Sequence, residues 1–179
     1  MLNVGALATR SVPLAIYANA YRSGGPWQYT VGPYSNGSNG TVSDFFNVGS
    51  GYGSGSYDLT VVGPNRFLRR FTGDLNNSGK VCSVTSSYAA SPVSGQLAIY
   101  FAMTNTGTES VTFTITSNNY TTAGPWTYPV PAGATVSTYF DVVASTSGWY
   151  DFTVAMAGDS SWLRRYTGHL ENGVASITG

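Results

Sequence analysis

The most regular feature of the chain is an alternation of apolar and polar residues that runs into a tight polar turn and then resumes, and it occurs twice. The first copy spans Ser56 to Leu75. It contains Tyr57-Asp58-Leu59-Thr60-Val61-Val62, the turn Gly63-Pro64-Asn65, and Leu68-Arg69-Arg70-Phe71-Thr72-Gly73. The second spans Trp149 to Leu170, with Tyr150-Asp151-Phe152-Thr153-Val154 leading to Trp162-Leu163-Arg164-Arg165-Tyr166-Thr167-Gly168. Period-two alternation on both sides of a short Gly-containing turn is how a β-hairpin reads. Closing the first hairpin on a three-residue turn sets Leu59 opposite Arg69, Asp58 opposite Arg70 and Tyr57 opposite Phe71. A turn centred on Gly158 sets Asp151 opposite Arg165, Phe152 opposite Arg164 and Tyr150 opposite Tyr166. Each copy is therefore expected to hold a structural acid–base pair, Asp58 with Arg70 and Asp151 with Arg165, of the kind that stabilises a sheet by roughly 0.2–1 kcal/mol. Because side chains alternate faces, one arginine of each twin shares a face with aromatic residues, where it must be paired or must reach water with its head. The alternative for these arginines is a cationic contact for phosphate.

The segments upstream repeat as well. Residues 11–21 align without a gap with residues 110–120, and both alternate as strands. Then come Gly25-Pro26-Trp27 and Gly124-Pro125-Trp126, each opening a Trp-x-Tyr-x-Val run that puts three large side chains on one face. Pro129 cannot donate to a ladder, which places its strand at an edge or a bulge. Residues 41–48 match 135–142 as a further strand, and Gly- or Ser-rich links (49–55 and 143–148) lead to the hairpins. The second copy is preceded by two more strand-like segments, within 81–88 and 96–107, where the first has only ten residues. The expected fold is all-β: two tandem Ig-like antiparallel β-sandwich repeats, residues 1–79 and 80–179, the first lacking its N-terminal strands. An uncovered edge there invites pairing with something else, so the chain is expected to belong to a longer protein.

Charge narrows the function. Only 9% of residues are charged and the formal net charge is +0, so the chain has no electrostatic footprint for nucleic acid. No segment shows convincing helical periodicity. The single cysteine, Cys82, excludes an internal disulfide. Low charge with abundant Ser, Thr, Asn and Gly points to a secreted protein, extracellular or periplasmic. Residues 1–10 read as neither a signal peptide nor a membrane span.

Reactive chemistry is hard to find. His169 is the only histidine and has no partners for a metal site, which needs three or four ligands. Asp151, Asp159 and Glu171 do not have the spacing of a calcium loop, and no Gly-x-Ser-x-Gly elbow is present. Gly51, Gly53 and Gly55 read as a flexible link. No catalytic, cofactor or metal residue is expected. Trp27, Trp126, Tyr34 and Tyr52 remain as candidate surface contacts for a lipid interface or a sugar. Both tryptophans read equally as core, whereas Tyr34 and Tyr52 lie in segments specific to the first copy.

The Tyr-Asp-(Leu/Phe)-Thr-Val strand, the Leu-Arg-Arg-(Phe/Tyr)-Thr-Gly strand, and the closing His169-Leu170-Glu171-Asn172-Gly173 with Ser176 resemble the duplicated C-terminal domain of bacterial phosphocholine-preferring phospholipases C. The resemblance spans nearly the whole chain. It implies a non-catalytic β-sandwich module, without cofactors, attached to an N-terminal phosphoesterase domain of the same chain. That domain would cleave phosphatidylcholine or sphingomyelin, and a phospholipid membrane surface is the second partner implied. A free-standing carbohydrate-binding or adhesive sandwich is the alternative. A pore-forming lysin is a third, for which no amphipathic N-terminal helix is present.

Overall fold

The computed structural model describes residues 2–3, 8–173 and 175, which include thirteen strands. Ser176 lies outside the described residues. Repeat one supplies β1 (Leu2–Asn3), β2 (Val12–Ala20), β3 (Trp27–Val31), β4 (Thr41–Val42), β5 (Ser56–Val62) and β6 (Leu68–Asp74). Repeat two supplies β7 (Cys82–Ala90), β8 (Leu97–Asn105), β9 (Val111–Asn119), β10 (Trp126–Val130), β11 (Thr135–Phe140), the short helix α1 (Val142–Thr146), β12 (Trp149–Met156) and β13 (Asp159–His169). Their pairings are antiparallel.

The two repeats share one sheet. Eight strands run in the order β10-β9-β12-β13-β6-β5-β2-β3, with repeat two on one side of the β13–β6 contact and repeat one on the other. A second layer, β11-β8-β7, covers the repeat-two half and makes it a sandwich. In repeat one the corresponding layer is only the two-residue ladder of β1 with β4. Since β1 meets β4 as β8 meets β11, β1 takes the place of β8 in repeat one, and among the described residues β7 has no counterpart. β10, carrying Pro129, is an outer edge of the long sheet, where a residue without an N–H does least harm.

Two local expectations need correction. The strand expected over 41–48 ends at Val42. The link expected over 143–148 begins as helix α1, whose Ser145 and Thr146 hydroxyls donate back to the Asp141 and Val142 carbonyls.

The hairpin register also differs from the three-residue-turn reading. Asp58 faces Thr72 and Arg70 faces Thr60, while Asp151 faces Thr167 and Arg165 faces Thr153. Both hairpins are displaced by two residues. In the first, residues 63–67 form the loop, with the Gly63 N–H on the Phe67 carbonyl at 2.9 Å and both Asn65 and Arg66 left-handed. In the second, the strands close tightly through Ala157 and Gly158, and the excess residues bulge between Asp159 and Leu163. A shift of two preserves which face each side chain occupies, so the acids stay on the same face as their arginines.

Burial is unequal. Repeat two encloses Ile99, Phe101, Met103, Phe113, Ile115, Val130 and Val154 at 0% exposure, with rings of Phe101, Phe140, Phe152 and Tyr166 in contact. Among the described residues, the apolar core of repeat one buries only Leu14, Ile16, Val31 and Val61, backed by partly buried Trp27, Tyr29, Phe46, Phe67 and Phe71. A cavity of about 180 Å³ lies over that smaller core, lined by Ile16, Tyr29, Val42, Asp44, Phe46, Leu59, Val61 and Phe71.

Candidate functional site at the repeat junction

The shared sheet gives both arginine twins their roles. Across β6 and β13, Arg70 faces Arg165, Arg69 faces Tyr166 and Phe71 faces Arg164. Arg70 is paired with its own counterpart, and Arg69 and Phe71 are each paired with the counterpart of the other, so an approximate twofold axis passes between Arg70 and Arg165. The junction has the self-complementary logic of a symmetric dimer interface inside one chain.

On the outer face, like charges directly opposite one another would destabilise the sheet. Each is neutralised within its own repeat. Asp58 accepts from Arg70 Nε and Nη2 at 2.9 and 2.7 Å, and Asp151 accepts from Arg165 Nε and Nη2 at 2.9 and 2.7 Å. The long guanidinium stems bridge the two-residue displacement diagonally. Asn19 and Asn118 complete the symmetry by donating to Asp58 and Asp151, each at 2.8 Å. Burial works against ionisation of Asp58, but the hydrogen bonds from Arg70 and Asn19 and the Arg70 charge outweigh it and hold the carboxyl below its ordinary value.

On the inner face the first arginine of each twin crosses to the other repeat. Arg69, 5% exposed, donates to the Thr167 carbonyl at 2.8 Å and to the Tyr150 hydroxyl at 2.9 Å. Arg164, 7% exposed, donates to the Thr72 carbonyl at 2.5 Å and to the Tyr57 hydroxyl at 2.7 Å. A buried charge is tolerable only when its donors are satisfied, and these carbonyls and hydroxyls supply the partners. The glycines of the motif belong to the same device. Tyr57 lies opposite Gly73 and Tyr150 opposite Gly168, and a Cβ at either glycine would come within 2.6 Å of the tyrosine oxygen. Only a strand without a side chain there lets the tyrosine reach across it. Burial raises the Tyr150 hydroxyl well above its ordinary value against the pull of Arg69, and it pushes Tyr166 up to about 12. Both remain neutral hydrogen-bond partners.

One contact breaks the symmetry. Arg69 also donates to the Tyr88 hydroxyl on β7 at 2.6 Å, and that hydroxyl lies 2.8 Å from the Tyr150 hydroxyl. β7 has no counterpart among the described residues of repeat one, so the covering layer of repeat two reaches over the junction and holds repeat one through Arg69.

The remaining candidates are placed as follows. The His169 side chain is nearly buried, with its ring nitrogens near Glu171 at 3.0 Å and the Ser147 carbonyl at 2.9 Å. Burial raises the Cys82 thiol, which keeps it protonated and a poor nucleophile. Among the described residues no three His, Cys, Asp or Glu side chains are grouped to hold a metal ion. Trp126 packs on Phe140 at 4.7 Å and Trp27 on Phe46 at 5.0 Å, so both tryptophans brace the cores. Tyr34 is exposed, and Tyr52 lies under the Arg22 guanidinium at 5.0 Å. Sequence reasoning passed over Arg22, Tyr88 and Phe45, the last 87% exposed. For Arg22 a signal existed, since the ungapped alignment of the repeats sets it against Thr121.

The fold and the symmetric junction define a duplicated antiparallel β module whose halves are fused through one sheet. The sequence profile of the bacterial phospholipase C C-terminal domain matches residues 1–74 and 82–169, one segment per repeat, and the chain belongs to that family. It is 33% identical over 158 residues to a non-hemolytic phospholipase C of Burkholderia pseudomallei, covering 88% of this chain and 21% of that protein. It is 33% identical over 153 residues to the non-hemolytic phospholipase C of Pseudomonas aeruginosa (83% and 20%). To the hemolytic phospholipase C of the same organism it is 31% identical over 127 residues (69% and 17%). The chain thus spans about a fifth of the length of the curated relatives it matches.

Proposed function

We propose that the chain is the non-catalytic C-terminal accessory module of a secreted phospholipase C, supporting an N-terminal phosphoesterase domain of the same protein and helping it engage a phospholipid surface. The substrate class expected for that domain is phosphatidylcholine or sphingomyelin. The observation that carries this reading is how the motif residues of the family are used. Tyr57, Arg69 and Gly73, with their repeat-two counterparts, hold the two repeats together, while the Asp58–Arg70 and Asp151–Arg165 pairs neutralise the charges that face each other across the junction. Polar motif atoms taken up by their own fold favour a scaffold, and the family match supports a phospholipase C as the protein that the scaffold serves.

The test compares the parent phospholipase C with and without these residues. The reading predicts that the isolated module releases no phosphocholine and that its removal lowers secretion or activity on phosphatidylcholine vesicles. Phosphodiesterase activity in the isolated module, or a truncated enzyme unchanged in secretion and in activity on both vesicles and micelles, contradicts it.

A further inference from the structure

The covering layer of repeat two shows what repeat one has room for. In repeat two the Phe101 ring of β8 packs on Phe140, Phe152 and Tyr166, with ring centres 6.0, 5.8 and 5.0 Å away. Aligning the copies makes Phe46, Leu59 and Phe71 the counterparts of those three residues. All three line the cavity of about 180 Å³ over the repeat-one core. The space in repeat one therefore lies where β8 places an aromatic side chain in repeat two.

One wall of that space is laid out as a strand that has not been paired. β4 ends at Val42, whereas β11 runs from Thr135 to Phe140 alongside β8. Residues 43–46 nevertheless follow the course of β11, with side chains that alternate between faces. Asp44 lines the cavity and accepts from the Tyr29 hydroxyl, as its counterpart Thr138 bonds to the Tyr128 hydroxyl at 3.0 Å. Phe46 packs on Trp27 as Phe140 packs on Trp126. Between them Phe45 is 87% exposed. Its counterpart Tyr139 stacks at 5.2 Å on Tyr100, the residue opposite it on β8. Cross-strand aromatic pairs of this kind stabilise a sheet, and Phe45 is one member of such a pair.

The cavity and the exposed ring call for the same strand. β1 and β4 pair Leu2 with Val42 and Asn3 with Thr41, as β8 and β11 pair Met103 with Val136 and Thr104 with Thr135. Carried upstream, that register sets the position two ahead of Leu2 opposite Asp44, as Phe101 is opposite Thr138. The position three ahead falls opposite Phe45, as Tyr100 is opposite Tyr139. We propose that the open side of repeat one is completed by the polypeptide that leads into Leu2 in the parent phospholipase C. It continues β1 as a strand beside residues 43–46 and seats a large apolar side chain, two ahead of Leu2, in the cavity. This occupant rests on the function proposed above, in which a catalytic domain precedes the chain, and the curated relatives extend well beyond the fifth of their length that the chain spans. Backbone pairing holds an added strand and the cavity fixes its register. The catalytic domain is thereby joined to repeat one by a strand of its fold and not by a free tether.

Hydrogen exchange read by mass spectrometry tests this on the parent protein and on the 179-residue chain. The amides of residues 43–46 are expected to exchange at least about tenfold more slowly in the parent. Glycine at the position two ahead of Leu2 should speed them again. In the 179-residue chain, a copy of Leu97–Phe101 grafted directly ahead of Met1 should bring the same protection. One extra glycine between graft and Met1 turns every grafted side chain to the opposite face and should abolish it. Equal exchange in parent and chain, protection in the parent that the glycine leaves unchanged, or a graft indifferent to its register overturns the proposal. Protection that grows with the concentration of the chain alone, the mark of a second copy in the groove, overturns it as well. Phosphocholine release is measured on the same parent. An active enzyme with unprotected 43–46 rejects the strand and leaves the accessory role standing, whereas protection in a parent without phosphodiesterase activity supports the strand and rejects that role.

Discussion

The two repeats have the same strand order and the same motif, yet one is a closed sandwich and the other is half of one. Repeat two carries β7 and β8 over its sheet and seals Phe101, Met103 and Phe113 at 0% exposure. Among the described residues, repeat one carries the two-residue ladder of β1 and β4 over a core of four buried side chains. The hairpin is common to both copies and, among the described residues, the cover is not. What lets the poorer copy persist is the sheet it shares with the richer one, since pairing β6 with β13 removes an exposed edge from each.

Truncating the cores should expose the inequality most strongly. Phe101→Ala leaves a large hole in repeat two and is expected to cost about 3–5 kcal/mol, whereas Leu14→Ala, at the open side of repeat one, is expected to cost about 2 kcal/mol. Urea denaturation of the two variants checks the order, and equal costs would mean that repeat one is better covered than described. The junction comes next. Arg69→Met removes a satisfied buried charge and leaves the Thr167 carbonyl and two tyrosine hydroxyls short of a donor, for about 3 kcal/mol. Arg164→Met should cost about 1 kcal/mol less because β7 offers it no counterpart of Tyr88. Tyr88→Phe should make the two arginine substitutions equal.

Gly168→Ala should cost about 1–3 kcal/mol by displacing the Tyr150 hydroxyl. Gly168→Ala with Tyr150→Phe should cost less than the sum of the two changes. The smallest effect belongs to the outer face. Folding lowers the Asp58 carboxyl, so its contribution is complete above the ordinary carboxylate pKa and is lost as pH falls through the lowered folded value. Asp58→Asn should therefore cost about 1 kcal/mol near neutral pH, limited by the exposure of Arg70, and nothing once the carboxyl is protonated. Denaturant midpoints of the variant and the parent chain, compared from about pH 6 to pH 2, measure it.

Much of this was legible in the chain. The duplication, the all-β class and the partnership of Asp58 with Arg70 all follow from alternation and from aligning one copy on the other. The register did not. Nothing local announces that Asn65 and Arg66 both turn left-handed and open the first loop to residues 63–67, or that the second hairpin closes early and bulges near Ser161. The acid–base partners survive the error because a shift of two keeps each residue on its face, and arginine is long enough to reach diagonally. The junction was illegible for a different reason. Alternation tells which face a side chain occupies, not which strand lies beside it, so the passage of Arg69 to Tyr150 and of Arg164 to Tyr57 had no trace in either hairpin alone. The aromatic cluster around Arg22 was not legible either, because Trp27, Phe46 and Tyr52 meet that guanidinium only through the fold.

The central claim is that repeat one stands because it shares a sheet with repeat two. It is tested most directly by following unfolding in each repeat separately. The chain has four tryptophans, of which Trp27 lies in repeat one and Trp126, Trp149 and Trp162 in repeat two. With fluorinated tryptophan, a urea titration watched by fluorine NMR reports all four. The signals of the unaltered chain should disappear at one common midpoint. In the Arg69→Met, Arg164→Met double variant, Trp27 should go first while the other three persist to higher urea. Separate midpoints in the unaltered chain, or a common midpoint that survives removal of both arginines, would contradict the claim.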